Sequence, residues 1–306
     1  MERYQVVRKI ADALYGQLWL ARDTDMDDLV AIKRVHIRAA KAHTAVRGNT
    51  GRVAEDIDVE KHVHELLTEG DGHPNILRLR TTFVQVDYDH FVMDYCSGGD
   101  LYDKTNDGPL SNDVAAIYFS QIVSAVGYMH AKGIAHRDLS LENILVHNGV
   151  CYLCDFGLAT QVQSSCRDRV GKSVYMAPEV YQGKAYDPKK ADVWSLGIVL
   201  FMLLTGVPLC LAATQPDSRY SYFTTYGLRD LLKSRNMHLD VAALDLLERM
   251  LVVQPDDRSS LHEIASHEFL QKRHECTCQD ESPCRHGVTA FVNEFLSEQV
   301  ANANLI

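Results

Sequence analysis

The sequence lacks long hydrophobic runs, because none of its 306 residues lies in a stretch of 18 or more consecutive apolar residues. A membrane-spanning helix needs about 20 such residues, so no transmembrane segment is predicted. The first residues, MERYQVVRKI, also lack the apolar stretch of a secretory signal and the glycine of a myristoylation signal. With 46% hydrophobic residues, the composition predicts a globular intracellular protein, cytoplasmic and not excluded from the nucleus.

Positive charge is also scarce, since 31 Lys and Arg residues face 41 Asp and Glu residues, for a formal charge of −10. That balance argues against nonspecific nucleic-acid binding and favours neutral or cationic partners. The sequence has no spaced cysteine framework of the secreted type, and five of its eight cysteines are scattered. We therefore expect reduced thiols and no disulfide network. The oligomeric state is not indicated.

Two patterns divide the chain. Residues 4–35 and 77–95 alternate as strands do, with a helix predicted at 59–67 between them and a flexible loop over 36–58. From a capping residue, Ser111, the pattern turns helical, interrupted by short strands near 144–148 and 150–156. The predicted fold is α+β, with a β-rich part at about 4–95, a connector at 94–100, a helical part at 101–270 and a tail at 271–306.

The motif HRDLSLEN at 136–143 carries a chemical pattern together with DFG at 155–157. Asp138 is placed to accept the proton of a substrate hydroxyl, and Asn143 and Asp155 offer the hard oxygen atoms that magnesium prefers. These two motifs are preceded by VAIK at 30–33. They are followed by YMAPE at 175–179, DVWSLG at 192–197 and Arg258. Over residues 4–270 the chain resembles the eukaryotic protein kinase family.

The resemblance implies a bilobed fold with ATP in the cleft, and magnesium, or manganese in its place, on Asn143 and Asp155. Adenine would meet the backbone of Asp94 and Cys96, behind Met93. The remaining residues expected around the nucleotide are Leu18 and Ala31 above the base, Leu145 below it, Asp100 near the ribose or a basic substrate side chain, and Cys154 facing the pocket.

Lys33 lies in an apolar strand, where a buried ammonium group is costly without an anion. A phosphate and a carboxylate would satisfy it. Glu60 is the favoured partner on the predicted helix, because Val63 and Leu67 fix its inward face, and Glu55 is the competitor. The alternative for Lys33 is a lysine on an edge strand that faces solvent.

The phosphate loop departs from the family pattern of three glycines. In its place the chain has IADALYG, from Ile10, Ala11 and Asp12 through Ala13, Leu14 and Tyr15 to Gly16, which keeps only the third glycine. Alanine tolerates an extended backbone but disfavours positive φ. A stiffer loop and weaker ATP affinity are expected.

A second departure concerns charge at the phosphoryl site. The family usually carries Lys two residues after the catalytic Asp and Thr in the peptide-binding loop, whereas this chain carries Ser140 and Lys172 at those places. We hypothesise that Lys172 reaches back to supply the cation and that Ser140 accepts its hydrogen bond. The alternative is two independent losses and a weaker enzyme.

Asp168 stands where activating phosphorylation typically falls in the family, and it is expected to pair with Arg137. Activity without phosphorylation follows, although Ser164, Ser165 and Ser173 stay candidate phosphorylation sites.

Glu142, where tyrosine kinases usually carry Arg, favours Ser/Thr substrates. Asp100 and Glu142 suggest a modest preference for basic flanking residues in protein substrates, and Met202 argues against a strong one.

Two alternatives stay open. A pseudokinase scaffold is suggested by Ala11, Ala13 and Ser140, against the retention of Lys33, Asp138, Asn143 and Asp155. In the tail, a zinc site competes with a mobile polar linker; its ligands would come from His274, Cys276, Cys278, Cys284 and His286, ahead of an amphipathic segment that is expected to pack as a helix.

Overall fold

The structure is a computed structural model that describes residues 2–45, 54–162 and 165–271. The predicted zinc ligands, the amphipathic tail segment and Ser164 lie outside the described residues. The chain forms two compact units, the first made of Met1–Ser97 with Cys154–Ala159 and the second of Gly98–Leu153 with Thr160–Ile306. The predicted connector at 94–100 spans the division at Ser97, whereas the return of 154–159 to the first unit was not predicted.

The first unit contains an antiparallel sheet of five strands, in the order β1-β2-β3-β5-β4. Its strands are β1 (Tyr4–Ala13), β2 (Gly16–Asp23), β3 (Asp28–His36), β4 (Leu79–Gln85) and β5 (Tyr88–Asp94). Alternation places Tyr4, Ala21, Val30, Ile32 and Val92 in a buried cluster on one face. The register pairs Leu18 with Lys33 and Ala31 with Met93, so these four residues share the opposite face.

The described residues of this unit form two helices, α1 (Ile37–Lys41) and α2 (Ile57–Thr68). The prediction of a loop over 36–58 is wrong at α1, which begins where the His36 ring accepts a hydrogen bond from the Ala39 amide. Helix α2 matches the predicted helix. The side chain of Asp56 caps it, and Glu60, Val63, His64 and Leu67 are buried along one face.

The second unit is mostly helical, which confirms the α+β class. Its helices are α3 (Leu101–Asn106), α4 (Asn112–Ala131), α5 (Pro178–Tyr181), α6 (Pro188–Thr205), α7 (Ser218–Ser234), α8 (Val241–Met250), α9 (Leu261–Ala265) and α10 (Glu268–Gln271). An antiparallel pair joins β6 (Ile134–Ala135) to β9 (Thr160–Gln161), and a short hairpin joins β7 (Ile144–His147) to β8 (Val150–Leu153). The second pair positions the loop at 136–143.

Helices α4 and α6 form the apolar centre of this unit. Helix α6 is buried on all sides from Ala191 to Leu204, as expected for a helix without a polar face. Helix α4 is long and apolar enough to span a membrane by length and composition, but 61% of that stretch is buried inside the protein. Core helices pass the same test, so this feature is explained by packing.

Helix α7 was not predicted. Its sequence, SRYSYFTTYGLRDLLKS, is rich in hydroxyl side chains and is kinked at Gly227, where φ is 84°. Burial of Tyr220, Phe223, Leu228 and Leu231 on one side stabilises it. Tertiary packing therefore overrides a weak local preference.

Candidate active site

The lysine of β3 forms a buried ion pair in the first unit. Lys33 Nζ lies 2.6 Å and 2.7 Å from the two carboxylate oxygens of Glu60 on α2. The Lys33 side chain is 17% exposed and that of Glu60 is 5% exposed. Of the two glutamates that the sequence offered, Glu60 is the partner, and a lysine facing solvent is excluded. Glu55 instead lies beside Gly157.

Electrostatics keep Lys33 charged. Burial by itself would lower the pKa of Lys33, but the carboxylates of Glu60 and Asp155 outweigh it and raise the pKa. Asp155 Oδ1 is 3.8 Å from Lys33 Nζ. Lys33 thus faces two carboxylates. Its ammonium group is a fixed positive charge that a further anion could contact.

The DFG segment is tied to α2 within the same unit. The Asp56 amide, at the start of α2, donates to the Gly157 carbonyl oxygen over 3.0 Å. The buried Phe156 ring packs edge-on against His64, with ring centroids 5.0 Å apart. Phe156 is therefore a packing residue, and these contacts hold Asp155 at its position with φ 65°.

The hairpin at 10–16 does not use glycine conformations. Strand β1 extends through Ala13 and pairs it with Gly16, and none of residues 10–16 has positive φ. Alanine at 11 and 13 therefore fits the backbone. Gly16 is needed for a different reason: a Cβ atom there would collide with the Arg34 carbonyl oxygen on β3. Retention of this glycine is explained by strand packing, without reference to phosphate.

Tyr15 lies inward in this hairpin. Its ring is 3% exposed, and its hydroxyl donates to the Glu55 carbonyl oxygen over 2.7 Å. Ile10 and Ala13 are half-buried, whereas Ala11, Asp12 and Leu14 are exposed. The Asp12 carboxylate binds Lys9 Nζ at 2.8 Å. Tyr15, which the sequence placed over the phosphates, is therefore held inside the first unit by its hydrogen bond to Glu55.

The residues expected near adenine are distributed over both units. In the first, Leu18, Ala31 and Met93 share the sheet face of Lys33, and Asp94 and Cys96 follow at the end of β5. Burial, followed by the charge of Asp155, raises the pKa of the Cys154 thiol, which favours an inert cysteine over a reactive one. Burial and Asp94 likewise raise the pKa of Cys96 to about 12.

In the second unit, Asp100 forms an isolated bridge with Leu145. The Asp100 side chain caps α3 by accepting a hydrogen bond from the Asp103 amide at 2.8 Å. Burial raises the pKa of Asp100. The aspartate that the sequence offered for ribose or a basic side chain thus has a helix-capping function as well.

The loop at 136–143, which is the expected catalytic loop, is held in place by Asp192 on α6. Its carboxylate accepts hydrogen bonds from the His136 and Arg137 amides, each at 2.9 Å, and contacts the His130 ring at 2.8 Å. His136 is fully buried, as a packing residue would be. Asp192 therefore has a structural role, and His130 is a partner that the sequence did not indicate.

Asp138 and Asn143 are joined directly. Asn143 Nδ2 donates to the Asp138 backbone oxygen at 2.8 Å and to its Oδ2 at 2.9 Å. This contact fixes the rotation of the Asp138 carboxylate, whose side chain is 12% exposed. Because the amide nitrogen points to Asp138, the oxygen of Asn143 points elsewhere and suits a metal ligand.

Lys172 meets the same loop. Its Nζ lies 2.8 Å from Ser140 Oγ and 3.2 Å from Asp138 Oδ2, and its amide donates to Asp138 Oδ1 at 3.0 Å. The hydrogen bond that the exchange hypothesis required is present.

Arg137 and Asp168 also form the expected pair, at 3.5 Å. Asp168 is 75% exposed, so its charge is well screened by water. The Tyr186 hydroxyl donates to the Asp168 backbone oxygen at 2.9 Å, a contact that the sequence did not reveal.

Two further pairs stabilise the second unit around this loop. Arg258 and Glu179 form a buried bidentate pair with both contacts at 2.7 Å. The Tyr175 hydroxyl donates to Glu142 Oε2 at 2.9 Å. Burial, then the Glu142 charge, raises the pKa of Tyr175, so this tyrosine stays neutral and keeps donating.

Comparison with known proteins decides the family. A model of the protein kinase domain matches residues 4–270. The chain belongs to the protein kinase domain family. This kinase is 33% identical over 281 residues to the serine/threonine-protein kinase SRK2A of Physcomitrium patens, covering 89% of this chain and 75% of the relative.

Two more relatives lead to the same class. The kinase is 32% identical to the serine/threonine-protein kinase SRK2E of Arabidopsis thaliana, over 89% of this chain and 72% of the relative. It is 31% identical to the serine/threonine-protein kinase SAPK2 of Oryza sativa subsp. indica, over 89% of this chain and 77% of the relative. The protein is a protein serine/threonine kinase, a phosphotransferase.

Proposed function

We propose that this kinase transfers the γ-phosphoryl group of ATP, with magnesium, to serine and threonine hydroxyls of protein substrates. The observation that carries the proposal is the retention of Lys33, Asp138, Asn143 and Asp155, each fixed by named partners within its own unit. ATP would supply the phosphoryl group, and magnesium would offset the negative charge of its phosphates.

The side chains fit these cofactors chemically. Lys33 stays an ammonium because two carboxylates raise its pKa, so it suits a phosphate. Asp155 and Asn143 supply carboxylate and amide oxygens, which are hard ligands appropriate to magnesium. Leu18, Ala31 and Met93 offer an apolar sheet face of the kind that an adenine ring covers.

Asp138 is proposed to act as the base. It takes the proton of the substrate hydroxyl, whose oxygen forms the new bond to phosphorus, while the electron pair of the broken bond stays on the diphosphate. Asn143 holds Asp138 Oδ2 in place through the hydrogen bond that its side-chain amide donates. Asp192 keeps the loop backbone in position beneath them.

We further propose a modest preference for basic residues near the acceptor. Glu142 accepts a hydrogen bond from the neutral Tyr175 hydroxyl rather than from a cation, and Asp100 lies in the same unit. Both carboxylates already have structural partners, and this favours a weak over a strong selectivity.

A binding scaffold without catalysis is the competing function. The relatives are named as kinases, so they give it no support. Alanine at 11 and 13 was one reason to consider a scaffold, but the backbone at 10–16 accommodates alanine without strain.

The test is a radiolabelled-ATP assay on an arrayed peptide library, with magnesium and with Asp138→Asn as the control. Labelling of serine and threonine peptides by the wild type alone, strongest next to arginine or lysine, is expected. No transfer above the Asp138→Asn control would contradict the proposal.

A further inference from the structure

The ammonium group of Lys172 has an arrangement that an ordinary surface ion pair does not explain. Besides Ser140 Oγ at 2.8 Å and Asp138 Oδ2 at 3.2 Å, it lies 3.4 Å from Asn143 Oδ1. Its three neighbours are the proposed base, the proposed metal ligand and the residue between them. The Lys172 side chain is 38% exposed, so part of it is in contact with solvent.

The contacts differ in strength, and the difference matters. The hydrogen bond to Ser140 is the shortest, and Ser140 is fully buried. The contacts to Asp138 and Asn143 are longer and engage oxygens that a substrate hydroxyl and a metal would take in the proposed function. An ammonium has three N–H donors. With Ser140 accepting from one of them, the other two would be available to the transferred phosphoryl group once the substrate hydroxyl and the metal occupy those oxygens.

A glycine makes this approach possible. Gly171 has φ 92°, and a Cβ atom at that position would lie 2.6 Å from the Arg137 carbonyl oxygen and 3.4 Å from Asp138 Oδ1. Only glycine therefore lets the backbone of this segment lie against the catalytic loop. The Lys172 amide then donates to Asp138 Oδ1, so the backbone and the ammonium group of this lysine both contact the loop at 136–143.

We propose that Lys172 is the catalytic cation of the phosphoryl site and that Ser140 is its positioning residue. This inference rests on the proposed function, since it concerns the same reaction. Lys172 stands on the segment that carries Asp168, not on the catalytic loop. The positive charge is consequently present only when that segment is docked, so segment order and charge supply are one event in this kinase.

The test uses equilibrium binding, because activity alone would not separate a catalytic role from a structural one. The magnesium complexes of ADP and of the non-hydrolysable adenosine 5′-(β,γ-imido)triphosphate are titrated by calorimetry against wild type, Lys172→Met and Lys172→Arg. The matched control is Lys233→Met, an exposed lysine whose ion pair with Asp230 spans 3.4 Å. Unfolding temperatures of all variants are compared.

We expect Lys172→Met to weaken triphosphate binding on the order of tenfold relative to diphosphate binding. Lys172→Arg should keep at least part of the preference, and Lys233→Met all of it. An unchanged ratio in a folded Lys172→Met variant would overturn the inference. The proposed function itself would fail separately, through absence of transfer by the wild type.

Discussion

Two lysines, one in each unit, face carboxylates in different ways. Lys33 is buried in a strand and bound by both oxygens of Glu60, whereas Lys172 is partly exposed, at the edge of a loop, and its shortest contact is a neutral hydroxyl. The first cation is fixed by the core of its unit and the second by the docking of a segment. The comparison therefore separates a cation held inside the first unit from a cation held where a segment of the second unit contacts the loop at 136–143.

The largest difference is expected in stability. Lys33→Met leaves Glu60 buried without a counter-ion and should lower the free energy of unfolding by about 3–5 kcal/mol. Lys172→Met removes a partly exposed ion pair and should lower it by less than about 1 kcal/mol. Urea unfolding of both variants measures the contrast.

The control is Lys33→Met combined with Glu60→Leu, which removes both charges. It should recover much of the lost stability without recovering phosphoryl transfer. Equal destabilisation by Lys33→Met and Lys172→Met would remove the distinction between the two lysines.

The docking of the second lysine is tested at Gly171. Gly171→Ala should lower kcat on the order of tenfold, because the new Cβ would push the segment off the Arg137 carbonyl oxygen. Gly183→Ala is the matched control: Gly183 also has positive φ, at 66°, but a Cβ there meets nothing within 4 Å. Both variants share the backbone strain of about 1–2 kcal/mol. If both lost activity equally, the close approach would not matter.

A smaller effect is expected at Asp168. Protein made in bacteria and treated with phosphatase should be active, and Asp168→Ala should reduce its kcat by no more than about fivefold, since the exposed pair with Arg137 is worth at most about 1 kcal/mol. The reduction should shrink as salt is added. Asp230→Ala, which breaks the ion pair with Lys233, serves as control. Loss of activity on phosphatase treatment would refute a permanent role for Asp168.

The smallest effect is expected in the hairpin. Ala13→Gly should change the KM for ATP by no more than about threefold, because Ala13 already pairs with Gly16 in an unstrained strand. Gly16→Ala should instead destabilise the first unit through Arg34. Steady-state kinetics together with thermal unfolding separates the two. A large gain in affinity from Ala13→Gly would mean that alanine does impair phosphate binding.

Short-range patterns predicted much of this molecule. Lys33, Glu60 and the catalytic loop were located because residue type and spacing carry their chemistry, and α4 and α6 because their apolar content is high. The hypothesis of an exchange between Ser140 and Lys172 came from two departures in one sequence, and it stays a prediction beyond the hydrogen bond that joins them.

Long-range packing was not visible. The roles of Gly16 and Gly171 depend on backbone approaches to Arg34 and Arg137, which no local pattern encodes. Helix α7 owes its stability to buried aromatic and leucine side chains, and α1 begins at a histidine cap that lies among residues expected to form a loop. For the two glycines and for α7 the deciding partners lie far away in sequence, whereas the α1 cap is a local contact between His36 and Ala39 that the loop prediction missed.

The most direct test of Lys172 as the cation of the phosphoryl site is a kinetic rescue. The values of kcat for Ser140→Lys, for Lys172→Thr and for the double variant are measured on one peptide substrate, with saturating ATP and magnesium. The account predicts that Lys172→Thr loses on the order of tenfold or more and that the double variant regains most of it, because the cation returns to the site from the catalytic loop itself. Losses that simply add, with no recovery in the double variant, would contradict it.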